Sequence, residues 1–417
     1  MSSCAQNPRH QERFRRNPHH RRGLRYGRRF VLSAGIMVEG CPSMKPFPTR
    51  PHDFVHTAAA AFYPDARPLV WHKRISGLTL AERIARLKGL PFAGTFDSKS
   101  VYGGKVYLVP EPTLVGLAGR FGIGEEGDLF GGLVPHPFMA TKAITHPLFR
   151  RDGGPDGWVD GFPAAVAEVV LDGWTAFDPQ AALEAGRDLL AGGPVRLKLA
   201  GEDGGHGQAM ARDEAGLRAA LERMAEGIAG GMVLERHLDD ITTYSIGRVM
   251  VGEHRVAYCG TQAAVPDNEG RDAYGGSRLY VVRGGFDELM AAPIAQDVRR
   301  AVEQARVYDA AADRHFPGFL ASRRNYDVIA GRDAAGTRRF GVLEQSWRLG
   351  GASPAEIVAL EAFAADPALW AVEAQCVEAY GPDVTVPEGA VLSFSGEDPQ
   401  VGALTKYARI EALHHAF

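Results

Sequence analysis

The sequence has few cysteines, and none is placed to form a metal site or a disulfide framework. The four cysteines, Cys4, Cys41, Cys259 and Cys376, lie far apart and include no Cys-x-x-Cys pair. This spacing argues against structural zinc and against a secreted disulfide scaffold, and it favours a reducing compartment. The histidines form no His-Glu-x-x-His motif, so a catalytic zinc site of that type is not expected either.

Long apolar runs and a basic stripe are also missing. No apolar stretch approaches the length that spans a bilayer, so we expect a cytoplasmic protein with no membrane partner. The formal net charge is −3, but residues 1–30 hold nine Arg against one acid, which leaves 38 Lys and Arg against 49 Asp and Glu, a net −11, in the rest. An acidic body argues against nucleic acid as a partner.

Residues 1–43 are Arg-rich and have too little apolar content to bury a core, which predicts disorder. Three interpretations compete: a nucleic-acid tail, a twin-arginine export signal, or a translation start placed too early, with Met37 or Met44 as the true start. The apolar stretch after the arginines is short and Glu39 closes it, which argues against export. We favour a dispensable or artefactual tail.

The rest of the chain alternates short apolar runs with amphipathic patterns, which predicts an α/β protein of two or three domains. Residues 68–74 resemble a strand and residues 78–90 an amphipathic helix. Further along, the pattern predicts a hairpin that turns at Gly252, a loop over 263–285 and a long helix near 293–311.

A glycine-rich loop, residues 201–208, follows a predicted strand that carries Lys198. Consecutive glycines allow backbone N–H groups to converge on phosphate oxygens, and a nearby lysine adds a mobile positive charge. An ordinary hairpin turn beside a surface lysine explains the same residues equally well.

Acidic side chains stand on three predicted strands. Glu235 ends an apolar strand before a linker, where main-chain groups suit an adenine edge, although an exposed strand end fits equally. Asp327 and Glu344 lie on two strands joined by a short polar turn, so a hairpin would bring them together. Two close carboxylates are costly unless they share a proton or bind a cation such as Mg²⁺. Salt bridges to nearby arginines are the competing explanation.

The stretch FGVLEQSWRLGG, residues 340–351, places Glu344, Ser346 and Arg348 two apart at the end of an apolar strand. Alternation predicts that all three side chains project from one face. Buried strands seldom carry an acid, a hydroxyl and a guanidinium on one face, so this pattern indicates a site.

Taken in order, these elements resemble the ATP-grasp superfamily, which includes biotin carboxylase and the D-alanine–D-alanine ligases. The shared order is a strand with a lysine, a glycine-rich loop, a helix, a strand ending in Glu, a hairpin, and paired strands with Asp and Glu-x-x-x-Arg. The resemblance covers roughly residues 135–360 and extends to an uncharacterised bacterial family usually placed among ATP-grasp proteins. It implies two α+β lobes around a nucleotide cleft, 135–234 and 235–417, after an N-terminal α/β domain, 44–134.

The resemblance also implies roles for individual residues. ATP-binding residues would be Lys142, Lys198, Gly204, Gly205, His206, Gly207, Glu235, Arg236 and Leu238. Magnesium ligands would be Asp327, Glu344 and Ser346. The catalytic residues would be Lys198, which would hold α- and β-phosphate oxygens, and Arg348, which would steady the transferring phosphoryl group or the acyl-phosphate. Weaker candidates for binding a carboxylate substrate are Arg278, Arg283, Arg324, Gly350 and Gly351, although surface salt bridges explain the arginines as well.

Three positions depart from the family pattern. Ser346 stands where Asn is usual, His206 stands where Lys or Arg is common, and no clear acid follows the hinge to bind ribose. A hydroxyl is a weaker magnesium ligand than an amide oxygen. These departures leave nucleotide binding as the expectation and make turnover less secure.

The expected activity is that of an ATP- and Mg²⁺-dependent ligase, which activates a carboxylate as an acyl-phosphate for attack by an amine or another nucleophile. A biotin carboxylase role is a narrower version, and it needs a separate carrier because the chain has no Ala-Met-Lys-Met segment. A small-molecule kinase and a non-catalytic nucleotide-binding protein are the alternatives. The expected partners are small molecules. The sequence leaves open whether the protein forms a homodimer.

Overall fold

The structure is a computed structural model of the chain, and it describes residues 56–64, 70–150, 153–202 and 207–415. The predicted tail, residues 1–43, lies outside these ranges. Among the helices within them, none has the length and apolar content needed to cross a membrane.

The first described elements are a parallel three-stranded sheet, in the order β2-β1-β3, and one helix. They are β1 (Thr57–Tyr63), α1 (Trp71–Leu87), β2 (Phe92–Thr95) and β3 (Lys105–Pro110). The strand predicted over 68–74 is wrong, because the helix already begins at Trp71. A distant contact fixes this turn, since the His72 amide donates to the Asp398 carboxylate at 2.8 Å.

A four-stranded antiparallel sheet, in the order β6-β9-β7-β8, forms the middle of the chain. Two of its helices begin with an aspartate that accepts a backbone hydrogen bond, Asp178 in one and Asp213 in the other, as a good N-cap does. These helices, α3 and α4, pack on one face of the sheet. In chain order, this part of the protein contains β4 (Leu114–Val115), β5 (Gly132–Val134), α2 (Gly161–Val166), β6 (Gly173–Ala176), α3 (Pro179–Leu190), β7 (Val195–Leu199), β8 (Gln208–Ala211), α4 (Glu214–Arg223) and β9 (Met232–Arg236). Of these strands, β4 and β5 belong to a separate small sheet.

An antiparallel eight-stranded sheet, in the order β15-β14-β10-β11-β12-β16-β18-β17, makes up the last part. In chain order, the elements of this part are β10 (Asp239–Val251), β11 (His254–Pro266), β12 (Asp272–Arg283), α5 (Phe286–Ala291), α6 (Gln296–His315), β13 (Leu320–Ala321), β14 (Arg323–Arg332), β15 (Arg338–Ser346), α7 (Ser353–Ala365), β16 (Leu369–Tyr380), β17 (Val391–Asp398) and β18 (Gly402–His415). The short strand β13 lies outside this sheet and pairs with β5.

Both faces of the eight-stranded sheet carry an apolar core. Helices α5 and α6 cover one face, and α7 with α1 covers part of the other. The α7 side becomes polar towards β14 and β15, where Asp327 and Glu344 lie. We call this polar region the site face, because it lies on the same side of the sheet as α7 but beyond its apolar contacts.

Sequence patterns found most of the elements of this sheet. The hairpin at Gly252, the long helix near 293–311 and the β14–β15 pair are confirmed. The loop predicted over 263–285 is wrong, because β12 occupies most of it and pairs with both β11 and β16. Its glycines do not break the strand. Gly276 has φ +127°, and a β-carbon there would overlap the Cys376 carbonyl oxygen on β16.

This close contact gives a prediction about stability. Gly276→Ala should destabilise the fold by about 3 kcal/mol, since it adds strain at positive φ to an overlap with the neighbouring backbone. Chemical unfolding followed by tryptophan fluorescence measures the change. The matched control is Gly230→Ala, where nothing lies within 4 Å of the added carbon. Equal midpoints for the two variants would contradict the described approach of β12 to β16.

Candidate functional site

The two acids of the hairpin face each other. The β14–β15 register pairs Asp327 directly with Glu344, so both side chains lie on the site face. Asp327 accepts a hydrogen bond from the Gln262 amide nitrogen on β11 at 2.7 Å. Burial and the Glu344 carboxylate raise the pKa of Asp327 to about 7. The pair therefore favours a proton or a cation between its carboxylates.

Further oxygen atoms of the kind that bind metal ions lie beside the two acids. The same register places Asn325 opposite Ser346, one step along the hairpin, and the Asn325 amide nitrogen donates to the Ser245 hydroxyl at 2.7 Å. Within the described ranges, no group of three His, Cys, Asp or Glu side chains is placed to hold a metal ion. The available set, two carboxylates with amide and hydroxyl oxygens nearby, fits Mg²⁺, which binds through one or two carboxylates and completes its shell with water and phosphate.

Lys142 lies against this pair of acids. It begins a short 3₁₀ turn, Lys142–Thr145, and its ammonium nitrogen lies 2.8 Å from Glu344 and also contacts the Glu202 carbonyl. The side-chain amide of Gln345, the residue after Glu344, donates to the backbone carbonyl of Thr141 at 2.7 Å. Gln345 thus fixes the backbone next to Lys142.

A second lysine–glutamate pair lies on the four-stranded sheet, and both of its side chains are buried. The Lys198 ammonium nitrogen is 2.5 Å from the Glu235 carboxylate, and His146 Nε2 lies 3.3 Å from the other oxygen of that carboxylate. Burial opposes ionisation of Glu235, but Lys198 and His146 outweigh it and lower the pKa of the carboxyl to about 2. Glu235 is therefore a buried anion held between two donors.

Residues 142–146 connect the two pairs. At one end Lys142 meets Glu344 on the eight-stranded sheet, and at the other His146 meets Glu235 on the four-stranded sheet. Four of the residues predicted to bind nucleotide or metal, Lys142, Lys198, Glu235 and Glu344, therefore lie at the two ends of one short segment. The element order and the two sheets agree with the predicted fold class, an ATP-grasp fold after a small α/β region.

His146 was missed by sequence reasoning. Its only signal is the spacing Lys-x-x-x-His, which gains meaning once the turn over 142–145 is known. Gln262 was missed as well, because it lies on a different strand from the acid it contacts. Contacts between distant segments leave no pattern in a single sequence.

The hinge after β9 presents backbone and apolar side chains. The Arg236 amide donates to the Asp172 carbonyl, and its guanidinium binds the Asp172 carboxylate at 2.8 Å, so this side chain turns away from Lys198. Leu238 forms a small apolar cluster with Leu171 and Ile329, against which Leu343 packs. Sequence reasoning did not predict this cluster.

Part of the predicted glycine-rich flap lies outside the described residues, namely Gly204, Gly205 and His206. Gly207 is described, and it has φ +62°, a conformation that glycine adopts without strain. It precedes β8, which pairs with the strand of Lys198. The loop therefore connects two strands of the sheet that carries the Lys198–Glu235 pair.

The end of the acidic strand differs from its prediction. β15 ends at Ser346, so Arg348 lies beyond the strand and does not follow its alternation. The glycines that follow serve packing: a β-carbon on Gly351 would lie 2.5 Å from the Tyr274 ring, and one on Gly350 would contact Arg323 and Ser346 at 3.4 Å. Close approach of a substrate is not needed to explain either glycine.

The structure does not bring Arg278, Arg283 and Arg324 to the acids. Arg278 is exposed and pairs with Glu373 at 3.2 Å. Arg283 donates to carbonyls at the end of α7, and Arg324 is buried on the opposite face of β14 against α6. Because alternation separates Arg324 from Asp327 by face, a shared anion pocket does not form.

Comparisons with known proteins give distant matches. Solved structures with similar folds include N5-carboxyaminoimidazole ribonucleotide synthetase in complex with ADP (13% identity, 86% of this chain and 94% of that chain, TM-score 0.44). Others are biotin carboxylase from Campylobacter jejuni (11%, 84% and 87%, 0.45) and D-alanyl-alanine synthetase A from Vibrio cholerae (11%, 71% and 90%, 0.40). No curated protein matches.

One family model covers most of the chain. It matches residues 64–408, which include every described residue of the two lysine–glutamate pairs and of the acidic hairpin. The chain belongs to the family described as "Protein of unknown function (DUF3182)".

Proposed function

We propose that this protein is an ATP- and Mg²⁺-dependent ligase that activates a substrate carboxylate as an acyl-phosphate. The observation that carries the proposal is the meeting of two lysine–glutamate pairs, the buried Lys198–Glu235 and the partly exposed Lys142–Glu344, beside the second acid, Asp327. Isolated buried charges are costly, and a cluster of opposite charges in one region is typical of a site for a charged ligand.

In this proposal the two lysines bind the phosphates of ATP. Lys198 precedes the glycine-rich loop, whose residues Gly204, Gly205, His206 and Gly207 cover the phosphate oxygens with backbone N–H groups. Lys142 lies between that loop and Glu344, because its ammonium contacts both the Glu202 carbonyl and the Glu344 carboxylate. A lysine in this position can turn from the acid to a phosphate without a large movement.

The adenine base occupies the hinge. Glu235 and the main chain near Arg236 supply polar groups to its edge, and the apolar cluster of Leu171, Leu238 and Ile329 supplies a surface for its face. An aromatic base buries most of its area against apolar side chains, and a few polar groups set its orientation.

Asp327 and Glu344 would hold Mg²⁺, with the oxygen atoms of Ser346 and Asn325 nearby. When bound there, Mg²⁺ would supply positive charge that offsets the negative charge of the phosphates. The chain's own task is to keep both carboxylates ionised and close together. Gln262 helps, because its amide donates to one Asp327 oxygen and leaves the other free.

The reaction then needs positioning more than covalent chemistry. A carboxylate oxygen of the substrate attacks the γ-phosphorus, the bond to ADP breaks, and an acyl-phosphate forms. A nucleophile attacks the acyl carbon, inorganic phosphate leaves, and the proton of the nucleophile passes to a base. Arg348 steadies the transferring phosphoryl group, and Lys198 stays with the phosphates of ADP.

The proposal keeps the division into segments 44–134, 135–234 and 235–417. Most of the sheet with Lys198 belongs to the second, although its strand β9 ends at Arg236, and the sheet with Asp327 belongs to the third. It does not use Arg278, Arg283 or Arg324, since their guanidinium groups are engaged elsewhere.

The first test of function is product analysis. The purified protein, Mg²⁺ and ATP are incubated with a panel of carboxylates and amines, and ADP and inorganic phosphate are measured. The proposal expects substrate-dependent release of both in equal amounts. ADP without phosphate, together with a phosphorylated substrate, would identify a kinase instead. Nucleotide binding with no turnover under any condition would favour a non-catalytic protein.

Lys198→Met should weaken ATP binding about 10- to 150-fold, the loss expected for one charge-assisted hydrogen bond of about 1.5–3 kcal/mol. Isothermal titration calorimetry measures the dissociation constant. Lys105→Met is the control, because that lysine also pairs with an acid, Asp128, but lies on β3. If both variants bind ATP like the wild type, the loop has been assigned to the wrong ligand.

Asp327→Asn and Glu344→Gln should each abolish Mg²⁺-dependent ADP formation, because each removes a carboxylate from the metal site. Binding of Mn²⁺, followed by electron paramagnetic resonance in the presence of ATP, should weaken in parallel. Glu373→Gln is the control, since Glu373 is a half-buried acid on the same sheet that pairs with Arg278. Full activity in both hairpin variants would show that Asp327 and Glu344 do not form the metal site.

A further inference from the structure

Two buried arginine clusters lie on opposite faces of β14. Arg323 faces α7 and binds Glu356 through two hydrogen bonds, Nε to Oε2 at 2.9 Å and Nη2 to Oε1 at 2.7 Å. Tyr258 on β11 donates to the same carboxylate at 2.6 Å. Arg324 faces α6, where it pairs with Asp309, which also accepts from a tyrosine, Tyr326.

The first cluster binds the backbone at the end of β15, whereas the second reaches this segment through the Tyr326 hydroxyl and the Trp347 indole. The β14–β15 ladder stops at the Asn325–Ser346 pair, so the carbonyls that follow need other donors. The third nitrogen of Arg323, Nη1, donates to the carbonyl oxygens of Ser346 and Arg348 at 2.9 and 2.6 Å. One guanidinium thus binds α7 on one side and two backbone positions of residues 346–348 on the other.

The residue between these two carbonyls is held from elsewhere. The Trp347 carbonyl accepts from the Thr113 hydroxyl at 3.1 Å, and its buried indole donates to the Tyr326 hydroxyl at 3.3 Å. Residues 346–348 are therefore fixed on both sides, although they lie beyond regular strand pairing. The side chain of Arg348 starts from a rigid position.

We propose that Arg323, Glu356 and Tyr258 form a clamp that positions Ser346 and Arg348 for the phosphoryl group. This inference rests on the proposed function, in which those two residues act on metal and phosphate. Arg323 is a positioning residue here, because it holds the backbone at Ser346 and Arg348, and its Nη1 also lies 3.4 Å from the Ser346 hydroxyl. The task requires arginine: a lysine ammonium cannot bind a carboxylate through two parallel bonds and two carbonyls at the same time.

The test compares hydrogen exchange in variants of the full chain. Arg323→Lys and Glu356→Gln should speed amide exchange in residues 346–351 about tenfold or more, because a charge-assisted contact that closes this segment is lost. Tyr258→Phe removes one hydroxyl and should give a smaller increase, so it keeps the test usable if the charge variants unfold. Exchange in α3 serves as the internal reference.

Asp313→Asn is the control. It removes an acid that pairs with Arg324 at 2.6 Å in the second cluster, but it leaves the hydrogen bond between Tyr326 and Asp309 in place, and with it the support of the Trp347 indole. Exchange in 346–351 should stay within about twofold of the wild type in this variant. An unchanged rate in Arg323→Lys and Tyr258→Phe, or an equal increase in Asp313→Asn, would overturn the clamp.

A binding arm separates this inference from the proposed function. If the clamp positions Arg348 for the γ-phosphate, Arg323→Lys should lower affinity for a non-hydrolysable ATP analogue about tenfold while affinity for ADP is kept, and Arg348→Met should have the same effect. Equal loss for both nucleotides would refute the positioning role. If the wild type binds neither nucleotide, the proposed function fails, and hydrogen exchange still decides whether the clamp exists.

Discussion

The structure is organised around a cluster of opposite charges, in which Lys142, Lys198 and Glu235 are buried and Glu344 is partly exposed. Asp327 and Glu344 are paired by strand register, and Lys142 lies against Glu344. A short segment then leads to His146, Glu235 and Lys198 on the other sheet. Removing one partner of a buried ion pair is strongly destabilising, so Lys198 and Glu235 depend on each other.

This constraint explains features that look unrelated. Gln345 faces away from the acids, yet it fixes the backbone before Lys142. Gly350 gives space to Arg323, which binds the backbone at the end of the acidic strand, and Gly351 gives space to the Tyr274 ring. Arg323 and Arg324 are neighbours in sequence, but strand alternation gives them different tasks on opposite faces. Much of the polar network on the site face supports the backbone next to the acids.

The sequence was sufficient for local patterns and for the order of motifs. Alternation on the acidic strands and the turn at Gly252 predicted the hairpins, and the series of motifs pointed to the fold. Sequence patterns failed where contacts between distant segments determine the structure. The pattern around Trp71 predicts a strand where the structure has a helix, and the pattern of β12 predicts a glycine-rich loop. The arginines proposed for a carboxylate pocket form structural pairs instead. His146 and Gln262 join the site only through folding, so no local spacing reveals them.

A crystal structure of the protein with Mn²⁺ and a non-hydrolysable ATP analogue tests the central claim most directly. The account predicts an anomalous peak within about 2.3 Å of oxygens from both Asp327 and Glu344, with phosphate oxygens completing the shell and both lysines turned towards the phosphates. A metal bound away from these two carboxylates, or a nucleotide that contacts neither Lys142 nor Lys198, would contradict it.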